Sequence, residues 1–113
     1  MTFALLFIIA SSGLYADKSS VEIQLPASVK AGKEIIVKIN VFHKGNNAFH
    51  HTSWVYLKIN GKEAVKWKYP FESENFTKEF KFTPLADFEL EAMADCNLHG
   101  SAGAVTKKVT VKK

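Results

Sequence analysis

A chain of 113 residues that is 47% hydrophobic and 12% aromatic has the apolar material for one packed domain, which excludes intrinsic disorder. Its net charge of +4 rests on 15 basic residues, all lysine, against 11 acidic ones. Without arginine there is no bidentate grip on phosphate or guanine, so nucleic-acid binding is not expected. The single cysteine, Cys96, excludes an internal disulfide.

The first sixteen residues, Met1 to Ala16, carry no charge and include an unbroken apolar run from Phe3 to Ala10. The run ends in Gly13-Leu14-Tyr15-Ala16, ahead of Asp17. This pattern reads as a secretory signal peptide cut after Ala16, although the usual basic residue at its start is missing. It is too short for a comfortable membrane span. The domain is therefore expected at 17–113, exported or periplasmic, with no stable membrane association after cleavage.

From Val21 onward the chain alternates apolar and polar residues in short runs. Val21, Ile23 and Leu25 form the first run, and Ile35, Val37, Ile39 and Val41 the second. Val55, Leu57 and Ile59 lead to Asn60-Gly61, a strong hairpin signal because both residues tolerate positive φ. Val65, Trp67 and Tyr69 follow, stopped by Pro70. Phe76, Phe80 and Phe82 make a fifth run. Phe88, Leu90, Ala92 and Ala94 make a sixth, and Val105, Val109 and Val111 the last. Trp67 and the Phe residues are expected in the core, and Trp54 and Tyr56 on a packing surface or a wall of a site. Seven strands with regular turns predict an all-β fold, a seven-stranded immunoglobulin-like sandwich.

On that frame the unusual residues converge. His43, His50 and His51 lie between the second and third strands, and Cys96 and His99 between the sixth and seventh. In an immunoglobulin-like sandwich these two loops share one end, and Asp17 to Ser20 falls there as well. Gly45, Gly100 and Gly103 permit sharp turns near an ion. Imidazole with thiolate suits zinc, copper or iron. The only Met outside the leader, Met93, precedes Cys96, which counts against blue copper. Structural zinc held by His43, His50, Cys96 and His99 would be closed and four-coordinate.

The segment Cys96-Asn97-Leu98-His99-Gly100 matches the C-N-x-H-G motif of the superoxide reductases, the desulfoferrodoxin and neelaredoxin family. His50-His51-Thr52-Ser53-Trp54 resembles that family's H-[HY]-x-x-W segment, and His43 falls near its preceding loop histidine. The resemblance implies one iron per domain, with His43, His50 and His99 as equatorial ligands, Cys96 as axial thiolate, and His51 as a supporting neighbour. It implies reduction of superoxide to hydrogen peroxide, with electrons from an external donor. Lys18 and Lys44 would attract the anion. An oligomer of identical chains is a further expected partner. The family's E-K-H segment is matched here by Asp17-Lys18-Ser19, so Ser19 stands where a fourth histidine is expected. His51, water or the amine of Asp17 would then fill that position. Lys44 replaces the family's proline. A second resemblance, carried by Pro26 to Lys38 and the Asn60-Gly61 hairpin, is to the Z-type carrier subunit of periplasmic sulfur oxidation, a metal-free binding module.

Overall fold

The computed structural model describes residues 7–11, by their backbone, and residues 18–113. Most of the expected signal peptide, its cleavage point and Asp17 lie outside the described residues. Among the described residues eight strands follow one another: β1 (Phe7–Ser11), β2 (Ser20–Pro26), β3 (Ile35–Phe42), β4 (Thr52–Ile59), β5 (Lys62–Lys68), β6 (Phe76–Phe82), β7 (Phe88–Cys96) and β8 (Val105–Val109). The seven strands expected from the alternation are β2 to β8. They form two antiparallel sheets, β2-β3-β6 and β5-β4-β7-β8, while β1 lies antiparallel along β2 as an added edge. This is the immunoglobulin-like sandwich with three strands facing four.

The two-residue period decides which side chains meet between the sheets. Val21, Ile23 and Leu25 of β2, Val37, Ile39 and Val41 of β3, Val55 and Leu57 of β4, and Leu90, Ala92 and Ala94 of β7 are all essentially inaccessible to water. Trp67, Phe80 and Phe82 pack against this core without full burial. Phe49 departs from the expectation for the Phe residues: it is 84% exposed, because it lies on a loop beyond the end of the sandwich. Leu57 is among the largest fully buried side chains. Leu57→Ala is expected to destabilise the domain by about 2–5 kcal/mol, through lost burial and the cavity left behind, as read by denaturant unfolding.

Asn60 (φ 53°) and Gly61 (φ 81°) both adopt the left-handed backbone that closes the two-residue β4–β5 hairpin. At the other end of β4 the register against β7 slips between Thr52 and Trp54. The irregularity lets Thr52 and Val55, three residues apart, both point inward. The C-terminal ends of β3 and β7 and the N-terminal ends of β2 and β4 therefore share one pole, with Ser20 opposite Phe42 and Thr52 opposite Cys96. Among the described residues no helix is long and apolar enough to cross a membrane.

Candidate metal centre

His43 follows the last residue of β3 and continues its inward alternation past Val41, so its imidazole is buried with the core. Its backbone N–H donates to Asn75 Oδ1 (3.1 Å), and its Nδ1 lies 2.8 Å from the Gly45 carbonyl oxygen. A carbonyl only accepts, so Nδ1 carries the proton and Nε2 presents its lone pair. Burial holds this imidazole below its ordinary value of 6.5; the Gly45 carbonyl opposes the shift, His50 adds to it, Glu74 opposes it and His51 adds to it. His43 is thus neutral at pH 7, the form that binds metal. Because the folded value is the lower one, the unfolded chain takes up this proton first. The contribution of His43 to stability of the metal-free protein is therefore complete above pH 6.5 and is lost as pH falls through the folded value. Acid titration of the metal-free protein followed by circular dichroism checks this direction.

Gly45 sets the second candidate ligand. Its φ of +115° turns the loop back, and a Cβ there would meet His50 Nδ1 at 2.8 Å. The ring of His50 thus rests on bare glycine backbone, edge to face with His43 at 4.7 Å between centroids. The Nε2 atoms of His43 and His50 are both buried and without a hydrogen-bond partner. Buried polar atoms are rarely left unsatisfied, and a pair of orphaned imidazole nitrogens fits a cation.

Cys96 completes the set. It is the last inward position of β7, after Phe88, Leu90, Ala92 and Ala94, so strand periodicity alone carries the thiol to the pole. Gly100, with φ +78°, turns the chain so that the Cys96 N–H donates to the Gly100 carbonyl (2.8 Å) and the Gly100 N–H to the Cys96 carbonyl (3.0 Å). The same turn aims the backbone N–H of His99 at Cys96 Sγ (3.4 Å). One ligand atom from each of His43, His50 and Cys96 can be chosen so that all lie within 4.8 Å of one another. An ion centred among three such atoms sits within about 2.8 Å of each, a small adjustment from metal–ligand bonds of about 2.0–2.3 Å.

The other expected residues take distinct places. His99 is exposed at the rim, its ring edge-on to His50 at 5.2 Å between centroids. His51 turns to other partners: its Nδ1 lies 2.8 Å from the Asn47 carbonyl and its ring stacks on Tyr69 at 3.6 Å. Ser19 is buried at the same pole, its Oγ 2.7 Å from Thr52 Oγ1. Its N–H donates to the Gly100 carbonyl (3.3 Å) and its carbonyl accepts from Ala102 (2.9 Å), which clamps the start of β2 to the Cys96 loop. Lys18 and Lys44 are exposed, each beside a residue of this pole.

Asn97 has a role that the motif match did not assign. Its Oδ1 accepts from the His51 N–H (2.8 Å), its own N–H donates to the His51 carbonyl (3.0 Å), and its Nδ2 donates to the Phe49 carbonyl (3.0 Å). These three bonds fasten the Cys96 loop to the His50 loop. Thr52 was also missed as a support of the site, whereas Gly45, expected as the source of a sharp turn, also seats the His50 ring. Asn97→Ala is expected to lower metal affinity about 10–100-fold, as the loss of a supporting hydrogen bond does elsewhere. Competition with a chelator measures it.

Comparison with known proteins bears on this geometry. The desulfoferrodoxin family profile matches residues 14–102, most of the chain and all of the donor set. The chain belongs to the desulfoferrodoxin family. Among solved structures, the superoxide reductase (neelaredoxin) of Ignicoccus hospitalis aligns at 21% identity over 92% of this chain and 83% of that one, with a TM-score of 0.68. A variant of that same protein aligns at 24% identity over 86% and 83%, with a TM-score of 0.70. A fibronectin(III)-like module of Clostridium thermocellum CbhA aligns at 12% identity over 80% and 96%, with a TM-score of 0.51. These similarities establish the shared sandwich. Comparison with curated proteins finds no match. The candidate donor set of this family member is thus two imidazoles, His43 and His50, and the buried Cys96 thiol at the pole of that sandwich.

Proposed function

We propose that this chain is a mononuclear non-haem iron protein that reduces superoxide to hydrogen peroxide. The observation that carries the reading is the gathering of His43, His50 and Cys96, with both imidazoles bearing an orphaned Nε2, at the pole of a desulfoferrodoxin-family domain. His43, His50 and Cys96 would hold the ion, with His99 joining from the rim. Iron, when bound, supplies the single electron. Superoxide, one electron and two protons give one hydrogen peroxide, so an external donor must restore the electron.

The residues of the chain divide the remaining work. Cys96 would offer a buried sulfur donor, which as a bound thiolate would enrich the ion in electron density. The Gly45 carbonyl keeps His43 in the tautomer that binds through Nε2. The buried floor beneath the three donors keeps water from the thiol side. Lys44, beside His43, and Lys18, beside Ser19, supply positive charge where an anion arrives. Ser19 serves the reading as a clamp, because its hydroxyl already faces Thr52; the fourth histidine position is left to water, or to the amine of Asp17 once the leader is removed. Cleavage after Ala16 would also take β1 off the edge of β2. Export would place the enzyme outside the cytoplasm, and mass spectrometry of the exported chain should find Asp17 at its start.

The test of the central reading is metal analysis and a visible spectrum of the oxidised, purified protein. One iron per chain and an intense thiolate-to-iron absorption support it, followed by superoxide decay without release of dioxygen. Stoichiometric zinc with no chromophore overturns it and leaves a structural metal site. A fully folded, metal-free native protein would favour the carrier-type binding module.

A further inference from the structure

Trp54 and Tyr56 are the aromatic residues of β4, and neither belongs to the candidate donor set or to the core between the sheets. They stand on the outer face of the four-stranded sheet, alternating with inward Val55 and Leu57. Their rings stack nearly parallel, 12° apart in plane and 5.6 Å between centroids. The stack starts at the metal pole, because Trp54 pairs in register with Asp95, the neighbour of Cys96. It ends on polar groups of β7. The Tyr56 hydroxyl donates to Glu91 Oε2 at 2.5 Å and lies 3.5 Å from Met93 Sδ. Lys66 Nζ sits over the Trp54 ring at 5.0 Å, and Lys58 Nζ sits over the Tyr56 ring at 4.9 Å while reaching Glu91 at 3.8 Å.

Stacked aromatics under lysines stabilise a sheet by themselves. That role does not call for a carboxylate on the phenol proton. One-electron chemistry does. Indole and phenol are, with thiolate, the side chains most easily oxidised by one electron, and direct stacking lets an electron pass between them. A phenol that loses an electron becomes a strong acid, so its proton needs an acceptor within hydrogen-bond reach. Glu91 stands in that place. Burial, then the Glu91 hydrogen bond, then the Glu91 charge push the Tyr56 phenol up to about 12, so it keeps its proton at neutral pH until an electron leaves.

We propose that Trp54 and Tyr56 form a one-electron relay that carries oxidising equivalents away from the metal pole, with Glu91 taking the phenol proton. The oxidant is of the hydroxyl-radical class, which one-electron reduction of hydrogen peroxide yields together with hydroxide. Trp54 gives this radical one electron, and the radical becomes hydroxide. Tyr56 then returns one electron to the oxidised indole, its O–H bond breaks, and the proton passes to the Glu91 carboxylate. Trp54 is restored, and a neutral tyrosyl radical is left beside protonated Glu91. Tyr56 is half-buried, so a small reductant of the thiol or ascorbate class reaches it from solvent. The reductant gives one electron and Glu91 gives back the proton. The relay spares Cys96, whose oxidation past the sulfenic acid would not be reversed. It goes beyond the superoxide reading and does not depend on it, because the transfer runs between two side chains of β4.

The experiment is pulse radiolysis of the full chain as purified, with azide radical as the one-electron oxidant, because it attacks indole first. In the wild type the indolyl radical band should decay as the tyrosyl band grows, at a rate independent of protein concentration. Trp54→Phe and Tyr56→Phe should each remove this growth. Glu91→Gln keeps a hydrogen-bonding group but accepts no proton, and is expected to slow the transfer about tenfold or more. All three changes are conservative and lie on the outer face, so circular dichroism should match the wild type. Trp67→Phe, on the inward side of β5, should leave the transfer intact. Peptide mass spectrometry after oxidation should find products at Tyr56 in the wild type and at Trp54 in Tyr56→Phe. The same tyrosyl growth in Tyr56→Phe or Trp54→Phe overturns the relay, as does a rate proportional to protein concentration. An unchanged rate in Glu91→Gln overturns the proton step. Transfer in a chain that binds no iron and leaves superoxide untouched upholds the relay while the superoxide reading fails.

Discussion

Cys96→Ala should leave a folded, colourless protein that no longer reduces superoxide. The side chain removed is one small inward residue at the end of β7, so the metal-free domain loses only about 1 kcal/mol of stability by denaturant unfolding. The site loses its sulfur donor, and His43 and His50 remain as two imidazoles. Changes to supporting residues around metal ligands already cost about 10–100-fold in affinity, so loss of this ligand should exceed that range. Metal analysis after dialysis, the visible spectrum and the superoxide decay rate give three separate readouts. Retention of the chromophore in Cys96→Ala would show that the thiol is a core residue and not a ligand.

Gly45→Ala has the second largest expected effect, because two penalties fall on one atom. At φ +115° any side chain strains the backbone by about 1–3 kcal/mol. The added Cβ would also stand 2.8 Å from His50 Nδ1, closer than real contacts allow, so the ring must shift or the loop must open. Either movement separates His50 Nε2 from His43, whose own tautomer depends on the Gly45 carbonyl. The variant should lose about 1–3 kcal/mol of stability and at least about tenfold in metal affinity. By contrast, Gly61→Ala meets no neighbour within 4 Å. It is strained through φ alone, and so should cost stability with metal affinity unchanged.

The sandwich was legible because its strands follow the simplest rule available, alternation with a period of two. Val37 to Val41 and Leu90 to Ala94 face inward in the structure as their spacing requires. Asn60-Gly61 named its own turn for the same reason: its backbone demand is local. The candidate site was partly legible. Antiparallel strands bring the two His- and Cys-bearing loops to one pole whatever their details, so the convergence of His43, His50 and Cys96 could be foreseen. The division between neighbouring histidines, His50 as ligand and His51 as neighbour, came from the family resemblance, and its physical cause was not legible. His50 points into the candidate donor set while His51 stacks on Tyr69, a choice made by Gly45 and Asn47 within the loop and by Asn97 and Tyr69 from segments distant in sequence. The slip in β4 that turns Thr52 inward was equally hidden, since Thr52 reads as a loop residue until it is paired with Cys96. Phe49 was misplaced because composition assigns aromatics to cores, and only the path of the loop puts this one in solvent.

The inward ladder of β7 has a consequence for how this domain tolerates changes in length. Phe88, Leu90, Ala92, Ala94 and Cys96 form one row of alternating positions, in which the thiol is merely the last rung. A substitution inside the row perturbs packing locally. A one-residue insertion upstream in the strand would shift the whole row and present Asp95 where Cys96 belongs, and a deletion would present Asn97. The spacing of the hydrophobic core therefore also specifies which side chain stands at the candidate metal centre, so an indel in this strand would be costly on two independent counts.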